Sequence, residues 1–489
     1  MKNLSTILKS GAFCLLLFSF AKIQAQDKAA TMDSLMRVYA QYGQFNGSVL
    51  VAQKGKIVYE DAFGYANFEW DVPNTIDTRF RLASVSKQFT AMLIMQLVAE
   101  GKLALNEPIS TYLPDYPKAQ ADKVRLHHLL THSSGIPNFT SFPAYRKMMR
   151  QPISVEALVA TFADSALEFT PGERFAYSNS GYALLGYIIE QVGGQSYEEA
   201  MQQRIFEPLG MKNSGYAHNQ PIIKKRASGY NQNAGQFTNA NHIEMTVPYA
   251  AGGLYSTVGD LHLWDQALYG EKLLPAKYRD MMFAEQIEVR GGHYGYGWDI
   301  NKMGLGKTDQ LLPIISHGGG INGFNTLIVR IPSDSSFVVL LNNTSGAPLF
   351  AITKGLHDIL SGQPYDLPRQ SLAQAMAKVL EDDGLESAEA LFRDKLEAMD
   401  YYASENEINV LGYTLLQSGK LEEAAAIFKL NIEAYPSSFN VYDSYAEALM
   451  NLGDKEGAIQ YYQKSIEMNP ENNNGIMMLE KLGVQANTD

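Results

Sequence analysis

The chain has 489 residues, of which 46% are hydrophobic, a formal net charge of −12 and a single cysteine. This length corresponds to about two to four folded domains, and the hydrophobic content is high enough to form their cores. A disordered protein and a small disulfide-stapled scaffold are therefore excluded. One cysteine allows neither an intramolecular disulfide nor a cysteine-based zinc site. The acidic balance argues against a general nucleic-acid binder, which needs a basic face.

The first 25 residues have the pattern of a secretory signal peptide. Lys2 and Lys9 precede an apolar run at residues 11–21, and Ala25 provides a small residue for cleavage. The run is too short to cross a bilayer as a helix, so a retained membrane anchor is the less favoured alternative. Cys14 lies inside this segment, and its neighbours do not form a lipobox. We therefore expect a periplasmic or secreted protein without stable membrane insertion, and a mature chain without cysteine.

Short β-rich runs lie at both ends of the following region, and helical stretches lie between them. Residues 47–52 and 56–59 predict one antiparallel hairpin, and residues 326–330 and 337–342 predict another. We expect the terminal strands to meet in a single sheet. Residues 26–362 would then form one α/β or α+β domain.

Ser84 and Lys87 stand at the start of an apolar stretch, residues 89–98, that ends near Gly101 and predicts a buried helix. Positions i and i+3 share a helix face, so the Lys87 amine can reach the Ser84 hydroxyl. A desolvated lysine with a lowered pKa can take the proton of a serine and make it a nucleophile. The spacing alone also fits an ordinary helix cap at Ser84.

Two later segments place polar side chains where functional groups are commonly displayed. Tyr177 and Asn179 lie on a loop at the start of a helix with an apolar period. His317 ends a strand-like run, and the glycines that follow it, up to Gly320, would let a substrate approach the backbone closely.

In this order the motifs resemble those of the serine β-lactamase and penicillin-binding superfamily, in its class C-like branch of D-Ala-D-Ala carboxypeptidases, D-aminopeptidases and esterases. The resemblance covers about residues 30–360 and includes two loop segments of the helical part, residues 129–137 and 251–257. It implies a β-lactamase/transpeptidase-like α/β (α+β) domain with an antiparallel sheet and a helical subdomain, and no cofactor. The motifs are Ser84-Val-Ser-Lys87, Tyr177-Ser-Asn179 and His317-Gly-Gly319.

The same resemblance implies a role for each residue. Ser84 would be the acylated nucleophile, and Lys87 and Tyr177 would share the proton transfers, with Tyr177 as acid to the leaving group and base for the hydrolytic water. The backbone N–H groups of Ser84 and Gly320 would form the oxyanion hole. Asn179 would hydrogen-bond the substrate or Lys87.

The histidines leave one alternative open. His317 stands where the family usually has a lysine, which weakens the fixed positive charge for a substrate carboxylate and favours a peptidase or esterase over a dedicated β-lactamase. His293, in a Tyr/Gly-rich stretch, is the rival for the third motif. His127, His128 and His132 cluster in the sequence without further ligand residues, so we expect structural histidines and no metal site.

Residues 371–489 form a differently built region with a net charge of −13. Residues 405–473 repeat with the 34-residue tetratricopeptide period, and residues 363–370, which contain two prolines, are interpreted as a linker. We expect an all-α repeat domain at residues 371–489. Four pairs of positions carry the repeat: Gly419 and Gly453, Ala424 and Ala458, Phe428 and Tyr462, and Pro436 and Pro470.

Together these patterns predict a secreted serine hydrolase that forms an acyl-enzyme with an amide or ester, as D-Ala-D-Ala carboxypeptidases, D-aminopeptidases and esterases do. The alternatives are a β-lactamase, or a slow-turnover protein that binds cell-wall peptide or β-lactams and recruits a partner. We expect a small-molecule or peptide substrate and no nucleic acid. The acidic repeats would bind a protein or peptide partner, or else would only stabilise the chain.

Overall fold

The computed structural model describes residues 27–233 and 235–485, which divide into two compact units. The first unit comprises Met1–Asn231 and Asn239–Leu367, and the second comprises Gln232–Thr238 and Pro368–Asp489. The predicted signal peptide, residues 1–25, lies outside the described residues.

The strands in the described residues are β1 Gly47–Gln53, β2 Lys56–Phe63, β3 Tyr65–Asn67, β4 Val72–Pro73, β5 Phe80–Arg81, β6 Gly215–Tyr216, β7 Tyr230–Asn233, β8 Gln236–Asn239, β9 Leu254–Ser256, β10 Ile287–Val289, β11 Gly292–Tyr294, β12 Asp299–Gly304, β13 Leu311–Ile321, β14 Phe324–Ile331, β15 Ser336–Asn342, β16 Gln370–Ser371 and β17 Tyr401–Tyr402.

The first helix, α1, occupies residues 27–41 of the described chain. The other α-helices are α2 Ser86–Ala99, α3 Lys118–Ala121, α4 Leu126–Leu130, α5 Tyr145–Met148, α6 Val155–Ala163, α7 Asn179–Gly193, α8 Tyr197–Met201, α9 Glu207–Leu209, α10 Tyr249–Gly252, α11 Val258–Ala267, α12 Ala276–Met282, α13 Leu349–Leu360, α14 Leu372–Asp383, α15 Leu385–Lys395, α16 Glu405–Gln417, α17 Leu421–Ala434, α18 Phe439–Leu452, α19 Lys455–Met468 and α20 Asn473–Lys481.

The first unit is built on an eight-stranded antiparallel sheet in the order β10-β11-β12-β13-β14-β15-β1-β2. The two predicted hairpins are present as β1-β2 and β14-β15. Strand β1 pairs with β15, with Gly47 opposite Asn342. The prediction that the terminal strands meet in one sheet is therefore confirmed.

Helices cover both faces of this sheet. Side chains alternate between the two faces of a strand, and in β1 Val49 and Val51 belong to the same buried cluster as Ile352 of α13. Leu50, between them, belongs to a second cluster with Phe89 of α2. The second cluster fills the space between the sheet and the helical region, so α2 begins beside the sheet and runs through the core.

The second unit is mainly helical, as the repeat pattern predicts. Gly419 and Gly453, at equivalent repeat positions, adopt φ values of 78° and 86° in the turns between helices, a conformation that favours glycine. Ala424 and Ala458 are fully buried where paired helices pack. The periodic positions of the sequence thus have matching structural roles.

Within residues 27–233 and 235–485, no helix combines the length and the apolar content needed to cross a bilayer.

Candidate active site

Ser84 lies in a 3-10 turn, Ala83–Val85, immediately before α2. Ala83 adopts φ +49°, which is strained for a residue with a side chain, and backbone strain of this kind clusters at active sites. The turn is fastened to the sheet because the Thr326 hydroxyl donates a hydrogen bond to the Leu82 carbonyl at 2.8 Å. Gly319 of β13 passes so close that a Cβ atom there would lie 2.2 Å from that carbonyl oxygen.

The Lys87 side chain is fully buried and has three hydrogen-bond partners. Its Nζ lies 3.2 Å from Ser84 Oγ, 2.9 Å from Asn179 Oδ1 and 2.8 Å from the Ala251 carbonyl oxygen. Burial holds the pKa of Lys87 well below its usual value. A neutral amine has two N–H donors and one lone pair. The two carbonyl oxygens accept from the donors, which leaves the lone pair for the Ser84 hydroxyl.

Asn179 is the first residue of α7, and its amide is held in a fixed orientation. Asn138 Oδ1 accepts from the Asn179 backbone N–H at 3.1 Å and lies 3.4 Å from its Nδ2. Thr140 Oγ1 is also 3.4 Å from that nitrogen. The amide nitrogen is thereby engaged on one side, and the oxygen is presented to Lys87.

The Tyr177 hydroxyl lies close enough to Ser84 to interact with its side chain, and the Tyr177 residue is 37% exposed. Loss of hydration raises the pKa of Tyr177, Asp299 adds to this effect, and the interaction with Ser84 opposes it. The Lys87 Nζ lies 4.8 Å from the centre of the ring. A neutral Tyr177 therefore stands beside both Ser84 and Lys87, with a proton to give.

The His132 ring packs against the ring of Tyr177. The two ring centroids are 4.1 Å apart, and the Ser178 backbone N–H donates to His132 Nδ1 at 3.1 Å. Burial, with Lys87 and His317 nearby, holds the pKa of His132 well below its usual value. The sequence predicts a structural histidine at this position and gives no sign of its contact with Tyr177, which lies 45 positions later in the chain.

His317, on β13, is only 3% exposed and is hydrogen-bonded through both ring nitrogens. Its Nδ1 lies 2.7 Å from the Gly318 carbonyl oxygen, and its Nε2 lies 2.9 Å from the Tyr294 hydroxyl. A carbonyl can only accept, so Nδ1 carries the hydrogen and Nε2 accepts from Tyr294. Burial and the neighbouring Lys87 lower the pKa of His317 to about 3. His317 is therefore neutral near pH 7.

The end of β13 has one free edge. Strand β12 pairs with β13 only between Leu311 and Ser316, whereas β14 pairs with it from Ile315 to Ile321. In the part of the chain that the structure describes, no strand covers the other edge beyond Ser316. A Cβ atom on Gly320 would meet nothing within 4 Å. This stretch can accept an extended substrate as an added strand.

The structure thus brings Ser84, Lys87, Tyr177, Asn179 and His317 into one connected group, and places Gly320 on the adjoining free edge. The rival His293 lies on β11, 3.6 Å from Glu285, and among the described residues it forms no hydrogen bond or ring contact with this group. Its neighbour Tyr294 reaches the site instead. Nothing in the sequence identified Tyr294 or Asn138, because each is brought to the site by long-range pairing.

No three His, Cys, Asp or Glu side chains of residues 27–233 and 235–485 lie close enough together to hold a metal ion.

Comparison with known proteins agrees with this arrangement. A family model described as Beta-lactamase matches residues 29–360, and a Tetratricopeptide repeat model matches residues 439–472. Penicillin-binding protein 4* of Bacillus subtilis is 31% identical over 71% of this chain and 79% of its own. Teichoic acid D-alanine hydrolase of Staphylococcus aureus is 28% identical over 67% of this chain and 78% of its own.

Among solved structures, D-amino acid amidase from Ochrobactrum anthropi SV3 superposes with a TM-score of 0.55 and 26% identity, covering 64% of this chain and 93% of that one. The fold is the β-lactamase/transpeptidase-like one that the sequence motifs predict. The chain therefore belongs to the beta-lactamase family, and it is a serine hydrolase with a C-terminal tetratricopeptide repeat.

Proposed function

We propose that this chain is a secreted hydrolase that cleaves an amide or ester through an acyl-Ser84 intermediate. The observation that carries the proposal is the environment of Lys87, which is buried, depressed in pKa and aimed at Ser84 Oγ while two neutral carbonyl oxygens occupy its N–H groups. This is the arrangement that a general base for serine requires.

The proton path follows from these contacts. Lys87 takes the Ser84 proton as Oγ attacks the substrate carbonyl carbon, and the oxyanion that forms is stabilised by the backbone N–H groups of Ser84 and Gly320. When the intermediate collapses, Tyr177 gives its proton to the leaving group and regains one from Lys87. In deacylation, Tyr177 takes a proton from the attacking water as it passes its own proton to the neutral Lys87. Lys87 then returns that proton to Ser84 Oγ as the acyl group leaves.

We further propose that the acyl donor is a D-amino acid derivative with an uncharged leaving group. The relatives named as a D-alanine hydrolase and a D-amino acid amidase support a D-amino acyl group. The neutral His317 supports an uncharged leaving group. It stands where the family usually has a lysine, so it offers no positive charge to a carboxylate on the leaving group.

Steady-state assays on a matched series test this specificity. D-alanine p-nitroanilide, D-alanine methyl ester, D-Ala-D-Ala and nitrocefin are compared on the purified protein, with the L-alanine ester as stereochemical control. We expect kcat/KM for the D-alanine ester and anilide to exceed that for D-Ala-D-Ala by at least about tenfold, which is the effect of one lost charge-assisted contact. A preference for D-Ala-D-Ala or nitrocefin would contradict the proposal.

A slow-turnover binding role is the second candidate, because a relative with 31% identity is named a penicillin-binding protein. In that case fluorescent penicillin would acylate Ser84 stoichiometrically and the adduct would persist. Single-turnover kinetics separate the two roles, since a hydrolase releases the adduct and turns over again.

For the second unit we propose a basic protein or peptide partner. Tetratricopeptide repeats stack into concave binding surfaces, and residues 371–489 carry a net charge of −13. Binding to such a partner would weaken as salt concentration rises.

A further inference from the structure

Apart from the Ser84 site, the first unit contains a cavity of about 370 Å³. This volume lies within the range of roughly 300–1,000 Å³ that is usual for small-molecule sites. It is formed between the start of α6, the end of α7, α8 and the first residue of α10. None of the catalytic candidates described above lines it. The chemistry of its wall differs from that of the Ser84 cleft.

Three tyrosines form the aromatic part of this wall, and all three are buried. The ring centroids of Tyr197 and Tyr249 are 5.3 Å apart, and those of Tyr197 and Tyr216 are 6.4 Å apart with nearly perpendicular planes. Gly186 leaves room for the Tyr249 ring to pack against α7, because a Cβ atom there would lie 2.6 Å from Tyr249 Cε1. Aromatic faces in such a group carry negative potential and attract cations.

The charged residues of the same wall are acidic. Glu156, Glu190 and Glu198 line the cavity, and no lysine or arginine is among its described lining residues. Glu198 is paired with His218 Nε2 at 2.6 Å. Glu190 accepts from the Tyr197 backbone N–H at 2.9 Å, which holds its carboxylate in place in the wall.

One polar group of the wall, the Tyr249 hydroxyl, lies near Glu190 without a well-formed hydrogen bond. The Tyr249 side chain is 5% exposed, and its hydroxyl forms no hydrogen bond of acceptable geometry within the described residues. Burial and the neighbouring Glu190 raise the pKa of Tyr249. An unpaired buried hydroxyl costs free energy unless a ligand or water satisfies it.

We propose that this cavity is a binding site for a small organic cation, an ammonium group that lies in the cavity against Tyr216 and Tyr249 and is neutralised by Glu190. The rings supply cation–π contacts, the carboxylate supplies the countercharge, and the Tyr249 hydroxyl is available to a polar group of the ligand. The catalytic candidates do not line this cavity, so we expect cation binding not to require a free Ser84.

The test uses the full-length protein and two probes of equal shape. Choline carries the charge, and 3,3-dimethylbutan-1-ol is its neutral analogue. Isothermal titration calorimetry should show saturable one-to-one binding of choline at millimolar concentration and at least about tenfold weaker binding of the alcohol. Protein already labelled at Ser84 should bind choline equally well.

Glu190→Gln is the diagnostic variant, because its amide oxygen can still accept from Tyr197 and preserve the fold. We expect it to weaken choline binding about tenfold, whereas Glu288→Gln, an exposed carboxylate on β10 away from the cavity, should leave binding unchanged. Equal affinity for choline and the alcohol, unchanged binding by Glu190→Gln, no saturable binding, or loss of binding on Ser84 labelling would each overturn the proposal.

Discussion

Lys87 combines complete burial with hydrogen bonds to three uncharged oxygen atoms, and no carboxylate of the described residues contacts it. Because charging such an amine means losing its hydration without a countercharge, the neutral form is favoured. The sequence indicated this possibility through the i, i+3 spacing. It could not show that Asn179 and Ala251 complete the environment, since both lie far away in the chain.

Asn179→Asp should favour the charged form of Lys87 over the neutral form. A carboxylate 2.9 Å from Nζ would stabilise the ammonium form and raise the pKa of Lys87. We expect the acid limb of the kcat/KM profile to move to higher pH, with activity lost at neutral pH and partly recovered in alkaline buffer. Asn179→Ala is the control, because it removes the contact without adding charge and should leave the position of the limb near that of the wild type.

The depressed pKa of Lys87 also predicts a pH dependence of stability. The unfolded lysine binds a proton below its ordinary pKa of 10.5, whereas the folded one does so only at lower pH. The free energy of unfolding should therefore fall as pH is lowered from about 10, by at most about 1.4 kcal/mol per pH unit. Urea unfolding of wild type and Lys87→Met from pH 10 to pH 6 measures this contribution. Parallel curves for the two proteins would contradict it.

Tyr177→Phe should separate amide from ester substrates. An amine leaving group needs a proton, whereas p-nitrophenolate leaves without one. We therefore expect the acylation rate with an amide to fall by about 10²–10⁴ and that with a p-nitrophenyl ester to fall much less. Pre-steady-state kinetics on both substrates give this comparison. An equal loss on both would instead assign Tyr177 a positioning role.

Strand β13 is the element that couples the sheet to the nucleophile. Its last residues have one free edge, and its glycines have different surroundings. Gly319 packs against the backbone of Leu82, whereas Gly320 faces open space. The strand and its glycines are predicted from the sequence. The different surroundings of the two glycines depend on the position of the turn before α2, which the sequence does not reveal.

Alanine at each position should distinguish packing from substrate access. Gly319→Ala would place a methyl group 2.2 Å from the Leu82 carbonyl oxygen, so we expect a displaced Ser84 turn, a lowered Tm and loss of acylation. Gly320→Ala should retain the wild-type Tm and raise KM, because its methyl group lies where the substrate approaches. Equal Tm values for the two variants would show that the close approach of β13 is not required.

The elements that the sequence identified best are the two regular hairpins, in which apolar runs of strand length flank turn residues. Strands β10 to β12 were not predicted, because these strands are short and contain polar residues and glycines. Their absence from the prediction explains why Tyr294 was missed as a partner of His317. A hydrogen bond across strands depends on register, which local sequence does not determine.

In the molecule as a whole, the two units have separate hydrophobic clusters. Buried residues such as Phe392 and Phe428 form a cluster confined to the second unit. The change in composition and the 34-residue period predict a separately built repeat region, because a tetratricopeptide repeat buries its apolar face against its neighbour in sequence. The partner of the repeats could not be derived in the same way, since it depends on surface side chains.

Residues 368–489 expressed alone should therefore fold. We expect a helical circular dichroism spectrum and a cooperative thermal transition, because this segment has its own core. The matching chain that ends at residue 367 should keep its kcat/KM, since every catalytic candidate lies in the first unit. A non-cooperative transition for the repeats, or an inactive truncated hydrolase, would show that the units depend on each other.

The proposed mechanism requires that Ser84 becomes acylated. Peptide mass spectrometry after reaction with a fluorophosphonate probe tests it most directly, on the wild type, on Ser84→Ala and on Ser86→Ala as the neighbouring-serine control. We predict a single adduct on the peptide that contains Ser84, retained in Ser86→Ala and absent in Ser84→Ala. An adduct on another residue, or equal labelling of wild type and Ser84→Ala, would contradict the account.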